Sequence, residues 1–116
     1  MKLILALPPT DNLLYRISGR RMYMTKEASD WKRITGLIAK SKKLKYTEEP
    51  VIIGEIHVYL KYDRDTQGGL KLLFDALEGV YYKNDSQVVQ FGPVFKHKDK
   101  NSPRIEIEII ENNGIK

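Results

Sequence analysis

The segment PVIIGEIHVYLKYDRDTQGGLKLLFDALEG, Pro50 to Gly79, changes its hydrophobic period halfway along, and that change decides what kind of fold the chain can adopt. Ile52, Ile56, Val58, Leu60 and Tyr62 alternate with Glu55, His57, Tyr59 and Lys61, which predicts a strand buried on one face. Beyond it Leu70, Leu73, Phe74 and Leu77 recur at helical spacing, and Gly79 stands where a helix C-terminal cap belongs.

Between the strand and the helix lies Asp63-Arg64-Asp65-Thr66-Gln67-Gly68. Acidic residues two apart with a glycine sixth resemble the start of a calcium loop. The twelfth position needs a bidentate glutamate and holds Phe74, part of the apolar face of the helix, so that reading fails. A phosphate-cradling loop fails as well. Gly68-Gly69-Leu70-Lys71 lacks the upstream glycine and the following hydroxyl residue. Two readings of the junction stay open: Asp65 or Thr66 caps the helix, or Asp65 is a metal ligand. Asp63, two residues before Asp65, shares its face in a regular strand and reads as a solvated strand end or as a further ligand.

Working outward, Leu3–Leu7 is an apolar run closed by Pro8-Pro9, a buried strand entering a turn. Tyr15–Met24, centred on Ser18-Gly19, reads as a hairpin carrying Arg16, Arg20 and Arg21. Thr25 is the expected cap of a helix to about Lys40, with Ala28, Trp31, Ile34 and Ile38 on one face. A basic exit follows through Lys45. Downstream, Val88–Lys96 and Arg104–Ile110 read as two strands, the second alternating strictly at Ile105, Ile107 and Ile109. The expected fold class is α+β, a mixed sheet with two main helices in a single domain over residues 1–116.

Composition limits the chemistry. A chain of 116 residues suits one domain with its own core. The absence of cysteine excludes disulfides, thiol catalysis and thiolate zinc sites. No apolar run approaches the roughly 20 residues that span a bilayer, and Met1–Leu7 is too short for a secretory signal, so a cytoplasmic protein without a membrane role is expected. The net charge of +5 favours an anionic partner such as nucleic acid. His57 and His97 show no partner pattern and read as surface residues.

A second acidic segment, Lys83-Asn84-Asp85-Ser86-Gln87-Val88-Val89, follows the helix. A helix of about ten residues rises about 15 Å, so a short return loop is expected to bring Asp85 to the same end of the sheet as Asp65. Carboxylates gathered there would bind magnesium, which can orient water and stabilise the leaving oxygen at a phosphodiester. Lys71, one turn into the helix and opposite its apolar face, is placed to neutralise phosphate charge. Asp75, four residues further on, is expected to pair with Lys71.

Asp65, Lys71, Phe74-Asp75-Ala76-Leu77 and Asn84-Asp85 before Gln87-Val88-Val89 together resemble the RusA family of Holliday junction resolvases. The opening agrees: Leu7-Pro8-Pro9-Thr10-Asp11-Asn12, a tyrosine and arginines, then Thr25-Lys26-Glu27, is similar to the proline-serine-x-asparagine start of that family. The resemblance covers nearly the whole chain. It implies a small α+β homodimer that binds four-way or branched DNA and nicks two strands symmetrically in recombination and repair. Magnesium, with manganese as a substitute, would be held by aspartates. Carried over by position, Asp65 and Asp85 are the metal-binding and catalytic aspartates, and Lys71 is the functional lysine.

One departure qualifies what the resemblance implies. Gln67 occupies the position of a second metal-binding aspartate, and Gly68 that of an asparagine. A neutral glutamine oxygen is a weak magnesium ligand, so Asp63 enters as a compensating ligand. The alternative is a branched-DNA binding protein of the same fold with weak or no cleavage. The DNA surface is expected from Arg16, Arg20, Arg21 and Arg64 with Lys40, Lys42, Lys43 and Lys45. Tyr15, Tyr23, Tyr81 and Tyr82 are divided between base stacking and the core.

Overall fold

The strand and helix read from Pro50–Gly79 form the centre of the molecule in a computed structural model, which describes residues 1–9, 15–18, 21–64 and 67–110. The elements are β1 (Lys2–Leu5), β2 (Tyr15–Ser18), β3 (Arg21–Met24), α1 (Lys26–Ser41), β4 (Val51–Leu60), α2 (Gln67–Ala76), β5 (Val88–Gln90), β6 (Val94–Lys98) and β7 (Arg104–Ile110). β4 is the hub of a mixed five-stranded sheet. It pairs antiparallel with β7, which pairs antiparallel with β1, and its other edge takes β5 and β6 in parallel, one after the other. β2 and β3 form the expected hairpin as a separate two-stranded sheet.

The helices cover one face of the sheet. Leu3 and Leu5, Val51 to Leu60 in alternation, and Ile105, Ile107 and Ile109 are buried there against Ala28, Trp31 and Ala39 of α1 and Leu72, Leu73 and Ala76 of α2. Thr25 caps α1 as expected, its hydroxyl accepting from the Ala28 N–H at 3.2 Å. Trp31 ties α1 to the end of β1 by donating to the Ala6 carbonyl at 3.0 Å. Pro8 lies against the first turn of α2, where a Cβ on Gly69 would fall 2.7 Å from Pro8 Cγ. Only a residue without a side chain permits that approach.

The structure corrects four details of the sequence reading. Ile53 pairs with Ile109 but Ile56 with Ile107, so three steps along β4 match two along β7. This bulge reverses the alternation, and Val51 and Ile53 are buried before it in place of Ile52. Tyr62 lies beyond the strand and is 71% exposed. In α1, Thr35 takes the buried position expected for Ile34, because 28, 31, 35 and 39 keep closer to a single stripe. Val88–Lys96 is two strands, interrupted by Gly92, whose φ of +93° suits glycine, and by Pro93, which has no N–H to give the ladder.

Among the described residues, no helix lies on the other face of the sheet. Phe95, His57, His97 and Tyr59 stack there in succession at centroid separations of 4.9, 5.0 and 4.5 Å, and Arg104 closes the row 3.8 Å above Tyr59. His57 and His97, read as surface residues, instead share a ring-nitrogen hydrogen bond of 2.7 Å, and Glu55 holds the other His57 nitrogen at 2.8 Å. The parallel β4–β6 register creates this array, and nothing local in the sequence announces it. Hydrogen bonds from Arg104 hold the carboxyls of Asp99 and Glu106 below the usual carboxylate range.

Candidate active site

At the end of β4 the chain turns toward α2 through residues bound to the scaffold. Arg64, expected on DNA, is half-buried and donates to the Pro8 carbonyl at 2.7 Å. Asp63 is exposed and pairs with Lys96 at 3.4 Å, while Lys96 also donates to the Arg64 carbonyl at 2.7 Å. Asp65 and Thr66 lie outside the described residues, as does Arg20. Gln67 is the first residue of α2, and Lys71 stands exposed one turn later. The expected Lys71–Asp75 pair does not form: among the described residues neither takes part in an ion pair.

The far end of α2 is organised around Asp85. Past Gly79, whose φ of +81° reverses the chain, Tyr81 and Tyr82 enter the core, which settles both as core residues. A 3-10 turn, Asp85–Gln87, then leads into β5. Its flanking side chains fix the turn. Asn84 Oδ1 accepts from the Ser86 N–H at 3.0 Å, and Gln87 Oε1 accepts from the N–H groups of Lys83 and Asn84 at 2.8 and 3.0 Å. The Gln87 amide donates to the carbonyls of Thr47 and Glu49 at 3.0 and 2.9 Å, anchoring the turn beside the entry to β4. In Asn84-Asp85-Ser86-Gln87 the amides therefore hold the loop. The carboxylate of Asp85 is left for other work.

That carboxylate joins two others. Ligand oxygens of Asp75, Glu78 and Asp85 all lie within 4.8 Å of one another, and the Asp85 N–H donates to Glu78 Oε1 at 3.2 Å. Glu78 was not singled out from the sequence. Its signal was present, since residues three apart on a helical turn share a face and Asp75-x-x-Glu78 has that spacing. Tyr82 registers the charge: its buried hydroxyl donates to the Phe74 carbonyl at 2.5 Å. Burial first, then Asp85, Glu78 and Asp75, push its ionisation far above the ordinary tyrosine value. The donor set fits a hard divalent cation, being three carboxylates converging with no cation paired to any of them among the described residues.

The expected return of Asp85 to the start of α2 is not met. Val88 pairs with Val51, the first residue of β4, whereas Lys98 pairs with Leu60, the last. Asp85 thus lies at the entry end of β4, while Asp63 and Gln67 follow its exit, and from Gln67 to Asp75, which meets Asp85, α2 rises about 12 Å. The loop after α2 is spent on reaching the β5 position rather than on turning back. Of the basic residues expected on DNA, Lys42, Lys43 and Lys45 are exposed at the exit of α1, and Arg16 and Arg21 fall on the paired hairpin strands. Lys40 lines a groove between the helices together with Lys32, Arg33, Asp75 and Glu78.

Fold and site together define a small α+β domain with convergent carboxylates of the sort that hold cations in phosphodiester chemistry. The chain belongs to the RusA endodeoxyribonuclease family, whose model, described as Endodeoxyribonuclease RusA, matches residues 6–110. No curated protein matches the chain. Among the described residues no helix is long and apolar enough to cross a membrane.

Proposed function

We propose that this chain is a structure-selective endonuclease that resolves four-way DNA junctions by paired nicks. It acts as a homodimer with a divalent cation, magnesium or manganese. The observation that supports this best is that Asp85, the downstream aspartate of the family pattern, is held by its neighbours' amides with its carboxylate facing Asp75 and Glu78. These three residues would hold the cation. When bound, the cation supplies an oriented water and charge stabilisation at the leaving oxygen.

The family pattern also assigns Asp65, Gln67 and Lys71, with Asp63 as the compensating acid, and these follow the opposite end of β4 from Asp85. One chain does not bring Asp63 to a phosphate held at Asp85, although Lys71 lies only one turn of α2 before Asp75. Two copies about a two-fold axis can, with the start of α2 in one facing the Asp85 end of the other, and a four-way junction offers two equivalent strands to such a pair. Lys71, exposed and without an ion pair among the described residues, is then available to a phosphate oxygen.

Gln67 favours a second reading, a protein that binds branched DNA and cuts it weakly, because a neutral amide replaces a carboxylate in the pattern. Incubating the protein with labelled four-way and linear duplex DNA, with magnesium, with manganese and with neither, separates the readings. Symmetric nicking of the junction alone, dependent on metal, is expected. Binding without nicking under all conditions favours the second reading, and equal treatment of junction and duplex overturns both.

A further inference from the structure

We propose that the groove between α1 and α2 is the track for the backbone of one DNA strand, with Lys32, Arg33 and Lys40 as its phosphate contacts. This rests on the nuclease reading above and extends it to residues outside the family pattern.

The sequence of α1 builds one wall. Ser29, Arg33, Gly36 and Lys40 succeed one another at steps of four, three and four, a single stripe along the helix, with Lys32 beside it. The stripe lies away from the buried positions Ala28, Trp31, Thr35 and Ala39, so folding leaves it open to solvent. The facing wall comes from Asp75, Ala76, Glu78 and Val80, and the groove between them has a volume of about 520 Å³. Gly36 keeps the floor bare where the helices cross, with the Ala76 carbonyl 3.4 Å from the place a Cβ would take.

The charges choose the occupant. Three cations line one wall and two carboxylates of the acidic trio line the other, yet no ion pair joins them. Groups meant only to neutralise one another would pair. A phosphodiester strand with a divalent cation satisfies both walls at once, its phosphates meeting Lys32, Arg33 and Lys40 while a phosphate oxygen reaches the cation at the carboxylates. An acidic peptide satisfies only the basic wall and is repelled by Asp75 and Glu78. From Arg33 to Lys40 the helix rises about 10 Å, which at roughly 3.4 Å of axis per phosphate corresponds to about three phosphates.

The test is anisotropy of a labelled four-way junction in EDTA, over about 50 to 300 mM salt. It compares wild type, a groove set (Lys32→Gln, Arg33→Gln, Lys40→Gln) and a control set of equal charge change away from the groove (Lys2→Gln, Lys98→Gln, Lys100→Gln). Three lost phosphate contacts predict about tenfold weaker binding or more, and a log–log salt slope shallower by about two to three, for the groove set alone. Should the groove set melt early, Arg33→Gln alone is expected to lose about one unit of slope and Arg33→Lys to keep it. Wild-type affinity and slope in the groove set, or equal losses in both sets, overturn the track. A wild-type protein with no affinity for the junction sinks the nuclease reading and the track with it, so the two failures are told apart.

Discussion

The described carboxylate that precedes α2, Asp63, is met by Lys96 at 3.4 Å, whereas at the other end Asp75, Glu78 and Asp85 face one another within 4.8 Å and meet no basic side chain among the described residues. The scaffolding follows the same division. Before α2, Arg64 reaches back to Pro8, Gly69 admits the Pro8 ring and Lys96 holds the Arg64 carbonyl, so Arg64 and Lys96 serve the fold there. After α2, the amides of Asn84 and Gln87 do the holding and leave the acids unneutralised. Like charges brought together without a counterion lower stability unless something binds them. Acidity by itself therefore does not mark a site in this molecule. The distinction lies in whether the fold supplies the opposite charge.

The substitution that tests this most severely is Asp85→Asn. If the cation is held at the unneutralised end, cleavage should fall by more than about 100-fold, since even loss of an outer partner of a metal ligand commonly costs about 10- to 100-fold. Junction affinity should be unchanged or slightly higher, because one negative charge near phosphate has gone. Asp75→Asn and Glu78→Gln should follow it, and Asp65→Asn should match it if the two-copy arrangement holds. Full cleavage by Asp75→Asn and Glu78→Gln, with loss in Asp65→Asn and Asp85→Asn, would break the comparison, because the trio would then be a by-product of the loop that positions Asp85. Gel assays of nicking and binding read both quantities.

An effect of middle size is expected at Tyr82. Its hydroxyl hydrogen bond to the Phe74 carbonyl is buried, and Tyr82→Phe should cost about 1 to 2 kcal/mol in urea unfolding without metal. The pH dependence carries more information. The folded state raises this ionisation above the ordinary value of 10.0, so the contribution is intact below about pH 10. Above that the unfolded chain loses the proton while the folded chain keeps it, and stability falls as pH rises. The gap between wild type and Tyr82→Phe should narrow above pH 10. A gap independent of pH would mean that folding does not raise the Tyr82 ionisation at all.

What the sequence made legible follows from how local each signal was. The change of period in Pro50–Gly79, the Thr25 cap and the alternation of Ile105, Ile107 and Ile109 each depend on a few neighbouring residues, and all three appear in the structure. The family could be read because its residues recur in order along nearly the whole chain. The bulge between Ile53 and Ile56, the division of Val88–Lys96 and the His57–His97 pair depend on which strand lies beside which. The same limit applied to the site. Asp85 was legible as an aspartate before a strand, but its partners were set by β5 docking at the entry of β4, which no spacing encodes. Glu78 went unnoticed because a glutamate near a helix end is commonplace until a loop delivers a third acid to it.

The smallest effect is expected at Asp63, and it defines the other side of the comparison. Its carboxylate is 89% exposed and Lys96 is 46% exposed, so the pair lies in water and contributes less than about 0.5 kcal/mol. Asp63→Asn should leave the melting temperature nearly unchanged. If its whole role is the Lys96 pair, the metal concentration for half-maximal cleavage should also stay within about twofold, well under the tenfold that corresponds to about 1.4 kcal/mol. A larger rise would make Asp63 the acid that compensates for Gln67, and Gln67→Asp in the same chain should then restore the wild-type requirement. Restoration larger than the change that Gln67→Asp makes alone would show both residues serving one ion, because residues with no shared partner combine additively. An unchanged requirement in Asp63→Asn would leave Asp63 a surface partner of Lys96 and confine the described carboxylates proposed to bind metal to the far end of α2.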